Sequence, residues 1–254
     1  MTTIAFTGKG GVGKTTIAAL ALRWLIGHGR TPVLAIDADS NANLHELLGI
    51  SYIATVGGIR EEARSVIKGD PALSKHEHLS MQIQKALVEQ KDFDFLVMGR
   101  PEGPGCYCFA NNALRESIAK LSSSYQYLIV DCEAGLEHIS RRTLLSIDWL
   151  ITVSDQSLRG LRTAVRIDAL LEEMKTRVAH RVLLINRASR SKTLVTPEQT
   201  AELGQSDFDW IMALPEDPVV AAMDAAGGTI DAVPKKSLFR KALDGLMERL
   251  INEQ

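Results

Sequence analysis

The stretch GKGGVGKT, Gly8 to Thr15, constrains this chain more than any other. It follows the pattern Gly, four residues, Gly-Lys-Thr. The apolar run TTIAFTG (2–8) precedes it, and the helical pattern TTIAALALRWLIGHG (15–29) follows. Strand, glycine loop and helix in that order make a phosphate-binding loop. Glycines at positions Gly8, Gly10, Gly11 and Gly13, with Val12 between, let successive N–H groups turn inward around phosphate oxygens. The helix N-terminus adds partial positive charge. Lys14 is expected to reach β- and γ-phosphates, the Thr15 hydroxyl to bind Mg²⁺, and Thr16 to hold the α-phosphate.

The rest of the chain repeats the same alternation. Apolar runs at 32–37, 95–99, 127–132, 149–155, 181–187 and 208–215 read as strands. They are apolar on both faces, as strands buried between two helical layers must be. Helical stretches such as SLRGLRTAVRIDALLEEMKT (157–176) separate them. The expected fold is α/β: one domain over residues 1–254, with a mostly parallel central sheet and helices on both faces. Residues 51–91 are the least clear; they read as largely helical, an insertion covering one edge. In SLFRKALDGLMERLINEQ, Leu238, Phe239, Ala242, Leu243, Leu246, Leu250 and Ile251 share one face. This face reads as packing on the sheet, since the polar face carries both signs of charge; a membrane-surface helix is the alternative.

The net charge of −2 gives no basic excess, so nucleic acid is not an expected partner. No apolar run approaches the length of a transmembrane span, so no membrane is expected. The N-terminus lacks a signal-peptide pattern, and the cysteine count is odd, 3. Together these point to a cytoplasmic, reducing setting.

Three further features accompany the loop. A second lysine, Lys9, follows its first glycine. AIDADSN ends the second strand with Asp37 and then supplies Asp39. IVDCEAG puts Asp131 at the end of an apolar strand, with Gly135 four residues on. With the loop, these residues resemble the deviant Walker A ATPases, which include the Min and Par positioning ATPases and the nitrogenase iron protein. The resemblance implies an ATP-dependent homodimer in which Lys9 crosses the interface to the partner's nucleotide. It implies that Asp39 orients the attacking water and that Asp131 holds Mg²⁺. Lys9, Lys14 and Asp39 would then be the catalytic set. LLINR resembles the strand of that class whose asparagine reads adenine, which makes Asn186 the candidate. ALPEDP resembles the loop over the base, with Pro215 and Glu216.

GPGCYC places Cys106 and Cys108 one residue apart. Such a pair makes a strained disulfide and too few ligands for a tetrahedral metal. A two-fold dimer would bring four thiolates together, enough for an S₄ site suited to Ni²⁺ or Zn²⁺, with Cu(I) open as well. GRPEGPGCYCFANNALR (99–115) with DCEAGLEHISRRT (131–143) is similar to the carbon monoxide dehydrogenase accessory ATPases of the CooC type. It is equally similar to their relatives that mature acetyl-CoA synthase. The resemblance implies ATP-driven nickel delivery to one of these two clients, with dimerisation in the ATP- or metal-bound state. Cys132 reads as a buried small side chain, and His138 as a structural residue of the second switch rather than a ligand. Two rivals stand beside this reading: a [4Fe–4S] electron-transfer ATPase, and a positioning ATPase bound to membrane or DNA.

Overall fold

The apolar runs become strands because both of their faces are covered. The computed structural model describes residues 1–59, 75–99, 116–133, 146–173, 177–189, 195–204 and 206–253. Its strands are β1 (Thr2–Gly8), β2 (Val33–Ala38), β3 (Val88–Glu89), β4 (Asp94–Val97), β5 (Tyr127–Cys132), β6 (Ser146–Ser154), β7 (Arg177–Ala188) and β8 (Trp210–Pro215). All six residues of β2 and all six of β5 are buried, as central parallel strands require.

The sheet order is β3-β4-β2-β5-β1-β6-β7-β8. Every pairing is parallel except β3 with β4. Strand period decides which layer each side chain meets. Ile4 and Phe6 of β1, Val33 and Ala35 of β2 and Ile129 of β5 enter one cluster. Ala5, Leu34, Ile36, Leu128 and Val130 enter the other.

Helix α1 (Lys14–Gly27) lies on the first face and is buried nearly all round, from Ile17 to Leu25. The sheet covers one side of it. α2 (Leu44–Leu48) and the C-terminal helix α7 (Leu238–Asn252) cover the others. On the second face lie α3 (Lys75–Ala86), through Ile83 and Ala86, and α4 (Leu158–Glu173), through Ile167 and Leu171. The other α-helices among the described residues are α5 (Pro197–Leu203) and α6 (Pro218–Ala225), and a 3-10 turn spans Ile230–Ala232.

The expected single α/β domain is observed, and its elements differ from the sequence-based expectation in detail. β7 starts at Arg177, earlier than its apolar stretch, because Arg177 and Val178 pair with Ser146 and Ile147 of β6. β3 is a two-residue antiparallel edge, too short to register as a pattern. Within 51–91, the described residues include α3 and the edge it leads into, so this segment does reach one side of the sheet. α7 packs on the sheet through Phe239, Leu243, Leu246, Met247, Leu250 and Ile251. Leu238 is not part of that face; it is 47% exposed, next to the Ser237 cap that accepts from Arg240 N. Among the described residues, no helix is long and apolar enough to cross a membrane.

β1 lies between β5 and β6, so the glycine loop opens at the carboxyl edge of the sheet. Open α/β sheets bind ligands at this edge.

Candidate nucleotide site

The four loop glycines have different jobs. Gly8 has φ +141°, and a Cβ there would sit 2.0 Å from Val153 O on β6. Gly13 has φ +93°, and its Cβ would meet Asn186 Nδ2 at 2.6 Å. Those two let backbone approach neighbouring elements. Gly10 and Gly11 face open space instead, leaving room for a ligand against the loop amides. Val12 is buried beneath the turn. Lys14 is buried, and its ammonium donates to Lys9 O at 3.3 Å, folded back over the loop. The Lys9 side chain is exposed.

Two strand-end carboxylates flank this loop. Asp131 of β5 is fully buried, and its oxygens lie near the Thr15 hydroxyl without a hydrogen bond of ordinary geometry from any described residue. Burial, then the Asp37 carboxylate, push its pKa up to about 7; the nearby Thr15 hydroxyl and Lys14 ammonium pull the other way. A buried, unsatisfied carboxylate beside a threonine hydroxyl fits a hard divalent cation such as Mg²⁺. Asp37 is the register partner of Asp131 and is equally buried. It accepts from Asp39 N (3.1 Å) and Leu44 N (2.9 Å), tying the turn to the start of α2. Burial raises Asp37 to about 6, against the pull of those two N–H groups. Sequence alone assigns Asp37 no role, because a strand-end aspartate looks the same whether buried or solvated.

Asp39 lines the phosphate side and accepts from Asn41 N at 2.9 Å. Next to it, the Ser40 hydroxyl donates to Glu133 at 3.1 Å. That bond joins the loop after β2 to the residue that follows Cys132.

The loop opens into two connected clefts. One, about 460 Å³, is lined by Gly10, Gly11, Lys14, Thr15 and Asp39. The other, about 320 Å³, is lined by Asn186, Pro215, Glu216 and Phe239. Gly13, Thr16, Arg187 and Asp224 line both. The residues expected to read the base thus meet in one cleft, joined to the glycine loop. Asn186 is buried; it donates to Val12 O (2.7 Å) and accepts from Arg187 N (2.9 Å). An amide so engaged keeps one N–H and one lone pair for a ligand. Thr16 is buried and donates to Asp224 Oδ1 at 3.4 Å. Arg187, Asp224 and Phe239 were not expected. They come from a strand bulge and two later helices, and no short motif marks them.

Cys132 is a buried core residue, as expected: it packs with Leu128 and Val130, and burial holds its thiol well above the usual range. Cys106, Cys108, Gly135 and His138 lie outside the described residues. Among the described residues, no cluster of three or more His, Cys, Asp or Glu is placed to hold a metal.

A family model described as an AAA domain matches residues 1–183. The chain belongs to this family. It is a P-loop ATPase, and its architecture is that of MinD- and ParA-type proteins. An uncharacterized ATP-binding protein of Methanocaldococcus jannaschii is 38% identical over 254 residues, 99% of each chain. The carbon monoxide dehydrogenase accessory protein CooC of Rhodospirillum rubrum is 29% identical over 238 residues, 88% of this chain and 87% of that one. Among solved structures, the MinC:MinD cell division protein complex of Aquifex aeolicus superposes with a TM-score of 0.70 at 23% identity, covering 100% of this chain and 97% of that one. That likeness establishes the fold.

Proposed function

We propose that this ATPase is a metallochaperone that assists nickel insertion into the active-site cluster of carbon monoxide dehydrogenase. The observation that carries the reading is the CxC pair, Cys106 and Cys108, in a chain whose likeness to CooC extends over 88% of its length. Maturation of acetyl-CoA synthase is the same chemistry with a different client.

In this reading the loop amides and Lys14 bind the β- and γ-phosphates. Thr15 and Asp131 hold Mg²⁺, which when bound offsets phosphate charge. Asn186 reads adenine with its remaining donor and acceptor, under Pro215 and Glu216. Lys9 crosses to the partner's nucleotide and closes the homodimer. Closure brings four thiolates together around Ni²⁺ or Zn²⁺, the cargo. Asp39 orients the attacking water, and hydrolysis loosens the interface for release to the client. Thiolate sites shared across a dimer couple metal affinity to ATP, because each requires the same association.

The membrane-positioning alternative needs a free amphipathic C-terminal helix. The apolar face of α7 is instead taken up by the sheet and α1.

The deciding experiment is Ni²⁺ and Zn²⁺ equilibrium binding under reducing conditions, with light-scattering mass. Wild type is compared with the Cys106→Ala/Cys108→Ala variant. One metal per two chains, lost in the variant, supports the reading. Unchanged metal binding in the variant sinks it.

A further inference from the structure

Arg187 is the unexplained residue of the nucleotide site. Its backbone has φ +54°, a left-handed conformation that costs a non-glycine residue about 1–2 kcal/mol. It sits where the register between β7 and β8 slips, between Ile185 and Ala188. Such bulges re-aim a side chain, and strain of this kind collects at functional sites. Its N–H donates to Asn186 Oδ1, so the amide that braces the glycine loop also fixes the bend. The side chain is exposed and lines both clefts at their junction. The group facing it there is Asp224, near enough that the Arg187 charge acts on its carboxylate. The same carboxylate takes the Thr16 hydroxyl.

We propose that Arg187 is a phosphate-binding cation of this site, directed at the α-phosphate, and that Asp224 is the resident anion which that phosphate replaces. This rests on the reading that the glycine loop holds the nucleotide's phosphates. A nucleotide spanning both clefts must pass the junction with the part that joins base and sugar to the outer phosphates. A planar guanidinium is suited to an anion at that point. Thr16 and Arg187 both exchange Asp224 for the phosphate. Asp224 therefore holds the Thr16 hydroxyl and attracts the Arg187 charge before the nucleotide arrives, and it opposes binding by its own charge.

The test is titration calorimetry of ADP against wild type, Arg187→Gly, Arg187→Lys, Asp224→Asn and Lys14→Ala. Glycine accepts φ +54° without strain, so Arg187→Gly keeps the fold, and its melting temperature checks this. The expected results are an ADP Kd about tenfold weaker for Arg187→Gly, partial recovery in Arg187→Lys, and a Kd several-fold tighter for Asp224→Asn. An unchanged Kd in Arg187→Gly while Lys14→Ala loses binding would overturn the proposal. So would Arg187→Lys binding no better than Arg187→Gly, or Asp224→Asn binding more weakly than wild type. If Lys14→Ala also binds normally, the phosphate-loop reading fails rather than the role of Arg187 alone.

Discussion

Asp37 and Asp131 face each other in register on adjacent parallel strands, both fully buried at the carboxyl edge of the sheet. In that position the Asp37 carboxylate raises the proton affinity of Asp131 on top of the effect of burial. Asp39 adds to the repulsion felt by both; Lys14 relieves Asp131, and His45 relieves Asp37. The pair is costly when charged, and a hard divalent cation beside it would offset that cost.

The pH dependence of stability follows. The folded-state pKa of Asp131 is about 7, against 3.8 when unperturbed. The folded state therefore holds a proton that the unfolded state releases. Stability from this group is complete below about pH 4 and is lost as pH rises through about 7. Without Mg²⁺ or nucleotide, Asp131→Asn should raise Tm by about 5 °C at pH 8, and by less at pH 5. Saturating Mg²⁺ and ADP should stabilise wild type more than the variant, which keeps the loop amides and Lys14 but loses a Mg²⁺ ligand. A gain independent of pH in thermal melts would contradict this.

The loop glycines should separate in urea unfolding without nucleotide. Gly8→Ala drives a methyl into Val153 O, and its φ is unfavourable, so it should cost about 3 kcal/mol or more. Gly10→Ala meets nothing and should stay within about 0.5 kcal/mol of wild type. Equal costs at both positions would mean the loop packs differently.

Lys9→Ala should separate dimerisation from nucleotide binding. The exposed side chain is removed, while the Lys9 carbonyl that takes the Lys14 ammonium is kept. With a non-hydrolysable ATP analogue, light scattering should show wild type doubling in mass and the variant remaining single. ADP affinity should change little. A variant that dimerises normally would remove Lys9 from the interface.

Ser40→Ala breaks the Ser40–Glu133 bond between the loop after β2 and the end of β5. The expected stability cost is about 1 kcal/mol. ATP turnover should fall a few-fold with ADP affinity kept, because Asp39 loses its neighbouring tie. Steady-state kinetics beside ADP titration reads the difference. Unaltered turnover would show that the bond is structural only.

Thiol titration tests the assignment of the 3 cysteines. Cys132 is fully buried, and burial raises its pKa, so it should be silent to a thiol reagent in native protein. The Cys106→Ala/Cys108→Ala variant should then show no fast thiol until denatured. A fast-reacting thiol in that variant would place Cys132 at the surface.

Much of this protein is legible in its amino-acid sequence. The glycine loop between strand and helix determines a phosphate site, because only that order of elements gathers consecutive N–H groups at a helix N-terminus. Two-sided apolar strands determine a parallel sheet covered by helices, because no other arrangement buries both faces. Lys14 and Thr15 can be named from motif and spacing alone, and Asp131 from the family resemblance those motifs carry.

Other features needed the tertiary structure, for one physical reason: they depend on which distant segments the sheet order brings together. The 37/131 carboxylate pair exists because β5 inserts between β2 and β1. Asn186 braces Val12 from 174 positions away. Arg187 becomes a feature of the site only through its left-handed backbone and the cleft it shares with Asp224, on a helix after β8. Local sequence sets the period and the turn chemistry. Which charges end up facing one another, and with how little water between them, is set by packing.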